Sequence, residues 1–280
     1  MKLDEKRSDE MQKSLEHISD SLNEMMRPLI AALSQLNLNW EKIEFPKIEF
    51  PKIKLANSQN DILKEVDLED KLCKRFEDAG WIAHYTSPWR IAEDASLEPD
   101  LLDRKTQDYY MNEWPEISEV FIDSVNKSDV DCEAKKTFAE AVAAHTHGLY
   151  RCAPRLLFPE IERVSRSEIH DGEQKPITSQ KDLQSLIAEL THAEMAPFGV
   201  AAFRFYVKLV NHVYLQTDKM NNADDINAVF NDPVPNRHVA LHGLSSYSTV
   251  QNSLNAIIFT DYIFQSISKI KQNQREIAEY

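Results

Sequence analysis

Glycine is scarce in this chain: five in 280 residues, against a steady supply of Leu, Ile, Ala, Glu and Lys. A β-sandwich or a βαβ array must turn at short intervals, and those turns draw on glycine for backbone conformations that other residues avoid. The chain therefore predicts an all-α fold. With 42% apolar and 28% charged residues it can bury one large core or two modest ones.

The formal charge of −14 repels nucleic acid over most of the surface. This excludes a general DNA binder with a broad basic face, yet leaves room for a small local RNA site. Cys73, Cys132 and Cys152 are odd in number, widely spaced and free of any Cys-x-x-Cys pair. Neither a disulfide framework nor a thiolate zinc site is indicated, which suits a reducing cytoplasm. Residues 1–10 are charged and carry no apolar core, so no secretory signal is expected. Among the most apolar windows, Phe198 to Leu215 is interrupted by Arg204 and Lys208 and falls short of the roughly 20 apolar residues of a membrane span. The expectation is a cytoplasmic protein with no membrane partner.

Four stretches follow one another. In residues 1–40, Met11, Leu15, Ile18, Leu22, Met25, Leu29, Ala32 and Leu36 recur at alternating steps of four and three. That is the seam of an amphipathic helix, packed on its own domain or on a second copy, and kinked or restarted at Pro28. Residues 41–57 repeat Lys-Ile-Glu-Phe-Pro from Lys42 and again from Lys47, then continue Lys52-Ile-Lys-Leu-Ala56. Alternating apolar and charged residues predict an extended segment, and Pro46 and Pro51 exclude a central strand. Its Ile and Phe side chains suit a tether along a groove, which makes residues 11–56 the candidate contact for a protein partner.

Residues 58–128 read as a small helical region. A helix over Asp61 to Glu77 turns Ile62, Val66, Leu72 and Phe76 to one side and stops near Gly80, and an irregular connection spans Tyr85 to Pro99. Helical texture returns from Leu101 to Ser124 around Tyr109, Trp114, Ile117 and Phe121. Asp129 to Asp131 marks the expected boundary of a domain over 129–280. Within it, a long helix from Cys132 to Ser167 bends at Pro154 and Pro159, a loop covers Asp171 to Ser179, and helices cover Lys181 to Leu190 and Pro197 to Leu215. Asp218 to Pro235 reads as a polar connection. The last helix starts at Ser248 or Thr249 and turns Val250, Leu254, Ile257, Ile258, Ile263 and Ile267 inward. The predicted architecture is a carboxy-terminal bundle of four or five helices, preceded by an amino-terminal amphipathic helix and an extended Pro-containing repeat.

Chemistry concentrates in Arg237-His238-x-x-x-His242, introduced by Asp232-Pro-Val-Pro-Asn236. Asn236 is a natural helix cap after residues that resist helix, and Gly243 lets the chain break directly after His242. Positions 237 and 242 lie about 140° apart on a regular helix, so the segment is a structured corner rather than a single face. His145-x-His147 with Cys152 does not make a metal site, because positions 145 and 147 point about 200° apart and no carboxylate pattern completes them. His84, His170, His192 and His212 are isolated and read as surface or satisfied core histidines. The aromatic residues from Tyr109 to Trp114 read as core.

The stretch Asn236-Arg237-His238-Val239-Ala240-Leu241-His242-Gly243, then Tyr247, then Asn252-Ser253-Leu254 before an apolar terminal helix, resembles the end of a bacterial HEPN domain, over roughly residues 135 to 275. Arg237 and His242 match the family's Arg-x4-6-His signature, and His238 fills the polar position after the arginine. The resemblance implies a HEPN-like helical bundle that dimerises to set two motifs across one cleft, and a metal-independent endoribonuclease with no cofactor. RNA carries its own nucleophile, the 2′-hydroxyl, so the protein need only move protons and stabilise charge on the phosphorane. By this analogy His242 is the general base or acid, Arg237 holds the phosphate and His238 orients. Products carry a 2′,3′-cyclic phosphate, the substrate is RNA with tRNA among the candidates, and the biological setting is a toxin or an anti-phage effector.

Related domains place an acidic residue of an earlier helix near the motif, and the run from Pro159 to Arg163 is similar to that helix, which makes Glu162 the candidate. Read without the resemblance, Glu162 is a solvated helix charge or a partner for Arg166 at i+4. The alternative function is a non-catalytic HEPN scaffold that regulates a partner protein, since a −14 surface steers RNA poorly. The discriminating residues are Arg151, Arg155, Arg163 and Arg166: turned toward Arg237 and His242 they favour RNA, turned elsewhere they favour a scaffold.

Overall fold

The computed structural model describes residues 59–169, 199–215 and 222–278. The expected amphipathic helix at 11–36, the repeat at 42–56, the loop at 171–179 and the helix at 181–190 lie outside the described residues. Ten α-helices and no strand are present among the described residues. The all-α expectation therefore holds. Two compact units divide the chain, residues 1–70 and 71–280. Of the first, only residues 59–70 are described, the opening turns of helix α1 (Gln59–Asp78).

Residues 71–78 of α1 bury Leu72, Cys73 and Phe76. The helix stops as its sequence predicts: Gly80 takes φ +79°, and the amides of Gly80 and Trp81 turn back onto the carbonyls of Glu77 and Phe76 at 2.9 and 2.8 Å. A single turn, α2 (Trp89–Ala92), interrupts the irregular connection. The helical stretch around Trp114 divides into α3 (Pro99–Asn112) and α4 (Trp114–Lys127), because Pro115 lacks the amide that would continue α3 and suits the first turn of α4. Similarly, the single long helix expected from Cys132 to Ser167 is two. Gly148 at φ +73° separates α5 (Cys132–Thr146) from α6 (Cys152–Ile169), and Pro159 lies inside α6.

The chain continues as α7 (Gly199–Lys208), which widens into a π turn at Leu209–Val213, and α8 (Ala223–Asn231). The latter falls where a polar connection was expected. Its start is a cap, with Asn222 Oδ1 accepting from the Asp224 amide at 3.0 Å. A short helix α9 (Arg237–Leu241) and the long α10 (Val250–Ala278) complete the fold.

Helix α10 is the axis of the second unit. It packs against α4, α5 and α6, and every residue from Gln251 to Phe264 is buried, apolar and polar alike. Leu254, Ile257, Ile258, Ile263 and Ile267 turn into the core as expected. Phe205 of α7 stacks on Tyr262 at 4.7 Å and meets Phe259 edge-on at 5.2 Å. Each fully buried aromatic of this kind contributes about 1.5–3 kcal/mol. Asp131 caps α5 by accepting from the Ala134 amide at 2.9 Å. Helices on both sides of residues 129–131 pack on α10, so this turn joins two parts of one compact unit.

An axis buried all round must satisfy its polar side chains inside the protein. Gln251 Nε2 and Asn255 Nδ2 each donate to the Gly80 carbonyl, at 3.2 and 2.9 Å, while Asn255 Oδ1 accepts from the Ile82 amide at 3.0 Å. Asn252 Nδ2 donates to the Pro233 carbonyl at 2.8 Å. The first turns of α10 thus tie the end of α1 to the loop that precedes α9. The fit there is close, since a Cβ on Gly80 would stand 2.6 Å from Pro233 Cγ.

Candidate functional site

The Arg-His corner is built outward from Asn236. Its Oδ1 accepts from the Val239 amide at 3.0 Å and starts α9, as its place after Pro235 predicts. The other end of the amide does work that local sequence does not announce: Nδ2 donates to the carbonyls of His212 and Leu215 at 2.6 and 3.0 Å. The Asn236 amide in turn donates to the Tyr247 hydroxyl at 3.0 Å. That bond anchors Tyr247, which holds φ +40°, a left-handed conformation that surrounding structure must enforce in a non-glycine residue. Upstream, Asp232 accepts from the Val234 amide at 2.9 Å and His212 Nε2–H donates to the Val234 carbonyl at 2.7 Å. Burial depresses the His212 pKa, against the pull of Asp232.

Helix α9 is short. His242 closes it, Gly243 at φ +69° leaves it, and the Leu244 amide returns to the Val239 carbonyl at 3.0 Å. The two histidines, four residues apart, lie against each other with ring centroids 4.4 Å apart and their planes inclined by 52°. His238 is half-buried and His242 is exposed. Arg237 points the other way, onto α6, where its Nε donates to Glu162 Oε1 at 2.5 Å. The side chains of this pair are 30% and 14% exposed, so the guanidinium lines the surface while the carboxylate sits behind it.

All four sequence candidates are thereby located. Arg237 and Glu162 form one pair, His238 and His242 another, and α9 joins the two. Arg151, just before α6, and the three arginines within it divide. Arg163 binds Asp131 through two 2.8 Å bonds, which hold the Asp131 carboxyl down to about 2, and also binds Glu160 through bonds of 3.0 and 2.6 Å. Arg151 and Arg155 are exposed and Arg166 is half-buried. By helical spacing Arg155 and Arg166 fall within about 20° and 40° of Glu162, whereas Arg163 is about 100° away.

The other histidines have different surroundings. His145 Nδ1 meets Ser253 Oγ at 2.8 Å in the core, and burial lowers its pKa to about 4. His147 is exposed and turns back on the Ala143 carbonyl at 2.7 Å, while Cys152 is half-buried. Among the described residues no group of three or more His, Cys, Asp or Glu is arranged to hold a metal ion. No described helix is long and apolar enough to cross a membrane.

No family model, curated protein or solved structure matches the chain.

Two residue groups escape a reading of the sequence. Tyr214, at the end of the π turn, is buried beside the corner, and only the tertiary position of Asn236 brings it there. The second is a buried node on α10. Asp261 accepts from His84 Nε2 at 3.0 Å, Tyr85 Oη at 3.0 Å, Gln265 Nε2 at 2.5 Å and Ser124 Oγ at 2.7 Å. His84 Nδ1 accepts from the Thr86 hydroxyl at 2.8 Å, so Nε2 carries the proton. Burial outweighs Asp261 and lowers the His84 pKa. This node is a satisfied core, as the isolated position of His84 in the sequence suggests.

Proposed function

We propose that this chain is a metal-independent endoribonuclease of the HEPN type, serving as a toxin or an anti-phage effector. The observation that carries the reading is the Arg237–Glu162 bond of 2.5 Å on one side of α9, with the adjacent, mutually tilted rings of His238 and His242 on the other. A half-exposed guanidinium and an exposed imidazole on one short helix supply the two things that RNA cleavage by its own 2′-hydroxyl requires. These are charge stabilisation at the phosphorane and a group that moves protons.

In this mechanism His242 takes the proton from the 2′-hydroxyl or delivers one to the departing 5′-oxygen, with His238 orienting the ring by contact. Arg237 receives the phosphate. Glu162 holds the guanidinium in the resting state and neutralises it, so substrate competes with a carboxylate for the same donor. The attacking oxygen bonds to phosphorus as the bond to the 5′-oxygen breaks, leaving a 2′,3′-cyclic phosphate and a 5′-hydroxyl. Arg155 and Arg166, on the Glu162 side of α6, are placed to extend the contact along the RNA backbone. A homodimer would set two such corners across one cleft.

A scaffold that binds a protein partner without turnover is the second reading. It is favoured by Arg163, which Asp131 and Glu160 fully engage, and by the charge of −14. Incubation with total tRNA and with a single-stranded RNA pool in EDTA separates the two. Cleavage by the unaltered protein and its loss in His242→Ala is the expected result, and intact RNA in both samples moves the assignment to the scaffold.

A further inference from the structure

The loop that delivers the Arg-His corner has little backbone of its own to hold it. In Asp232-Pro233-Val234-Pro235-Asn236 neither proline carries an amide, so Val234 brings the one N–H between the loop's ends. Val234 is 2% exposed, and side chains meet both of its backbone groups. Its amide donates to Asp232 Oδ1 at 2.9 Å, and its carbonyl accepts from His212 Nε2–H at 2.7 Å. The hold is reciprocal, because Asn236 Nδ2 donates to the His212 carbonyl at 2.6 Å. His212 belongs to the π turn at Leu209–Val213, where the Tyr214 amide reaches back five residues to the Leu209 carbonyl at 3.2 Å. Single π turns of this kind recur at functional sites. The other side of the imidazole is equally defined. Nδ1 lies 3.7 Å from Asp232 Oδ2, beyond hydrogen-bond reach, and Lys208 Nζ bonds that same oxygen. Burial keeps the ring neutral against the pull of Asp232, and Lys208 adds to the effect. A neutral imidazole has one proton, and the Val234 carbonyl requires it at Nε2. His212 thus commits its single ring donor to the loop, three residues ahead of Arg237.

We propose that His212 is the positioning residue of the Arg-His corner: its Nε2–H bond to the Val234 carbonyl, closed by the grip of Asn236 on its own carbonyl, sets where Arg237 and His242 meet a phosphodiester. Without that donor the buried Val234 carbonyl is left unsatisfied, and the loop must move to regain a partner. Reacting groups tolerate little of this, since a misplacement of about 1 Å can cost about 10²-fold in rate. The substrate class rests on the ribonuclease reading; the clasp between the π turn and the loop into α9 does not.

The test compares two substitutions in the full-length chain. His212→Phe fills the space of the imidazole and cannot donate, and His212→Leu takes its place if the first variant folds poorly. His212→Gln carries an amide N–H that can reach the Val234 carbonyl. Initial rates on a single-stranded RNA pool in EDTA are expected to show kcat about 10²-fold lower in His212→Phe with KM unchanged, the pattern of an interaction lost only in the transition state. His212→Gln should recover to within about tenfold of the parent. Amide hydrogen exchange gives a readout without RNA. The Val239 and His242 amides, bonded to Asn236 Oδ1 and the His238 carbonyl, should exchange faster in His212→Phe and at the parental rate in His212→Gln. The Ala134 amide, capped by Asp131, should keep one rate in all three proteins. A His212 that only fills the core would be replaced by Phe without loss of rate, so parental kcat in that variant overturns the proposal. A His212→Gln protein as slow as His212→Phe overturns it too, as does exchange at Val239 and His242 that His212→Phe leaves unchanged. If the parent cuts no RNA, the ribonuclease reading falls and the exchange pattern alone decides the clasp. If the parent and His212→Phe cut RNA equally, the clasp falls and the ribonuclease reading stands.

Discussion

The node at Asp261 and the corner at Arg237 use nearly the same chemical vocabulary, a carboxylate, histidine and tyrosine, in opposite surroundings. Asp261 and His84 are sealed in the core, and four side chains donate to the one carboxylate. At the corner, Glu162 holds a guanidinium that is itself partly exposed, His242 faces solvent, and the Tyr214 hydroxyl goes unpaired. A fully satisfied network has little left to offer a ligand and contributes to holding α10 in register. A network with an exposed donor and an unsatisfied one has contacts still to make. Residue type does not separate structure from function here; enclosure and completeness do.

The sharpest way to break this contrast is Asp261→Ala. It strands His84, Tyr85, Gln265 and Ser124 together, and should cost about 3–5 kcal/mol of stability in urea unfolding, a large part of what a domain has. A loss below about 1 kcal/mol would mean that the node is not structural. His242→Ala is the mirror experiment: RNA cleavage should fall by about 10²–10⁴-fold, the range of general acid–base catalysis, with the urea midpoint unchanged. A large fall in stability there would make His242 part of the fold rather than of a site.

Acid tests the same division through protons. The folded-state pKa values of His84 and His145 are depressed below 6.5, so below pH 6.5 the unfolded chain binds protons that the folded chain refuses. Their contribution is complete above pH 6.5 and is lost as the pH falls toward the folded value, about 4 for His145. For His145 alone this amounts to about 3 kcal/mol between pH 6.5 and 4. Unfolding free energies measured across that window should decline, and His145→Gln should flatten the decline. The Asp131 carboxylate, held down to about 2 by Arg163, acts only below its ordinary 3.8 and does not blur the result. The smallest effect is expected at the joint between the two regions. Gly80→Ala places a Cβ against Pro233 at a positive φ and should cost about 1–3 kcal/mol. Because Pro233 leads into α9, RNA cleavage should fall as well; full activity in this variant would separate the corner from the α1 stop.

Much of this was legible in the residues. Asn236 after Pro235 announces the start of α9, Gly80 and Gly243 announce stops, and the Leu and Ile spacing of α10 announces its inward face. Each of these signals is local, a matter of one turn of backbone. The breaks at Pro115 and Gly148 also carry local signals, as does the cap at Asn222, though a polar composition hid α8. Other features have no local signal. Gln251, Asn252, Asn255 and Asp261 look like residues for a solvent face and are buried because neighbours cover α10 on every side. Tyr214 reads as one more aromatic residue near the end of a helix.

What the sequence alone determined is the helical class, the ends of individual helices and the residues of the Arg-His corner, because backbone preference and capping act within a few residues. The tertiary structure decided which side chains meet. Arg237 and Glu162 are 75 positions apart and Asp261 and His84 are 177 apart. Pairings at such distances depend on how helices pack around α10, a property of the whole core and not of any segment within it.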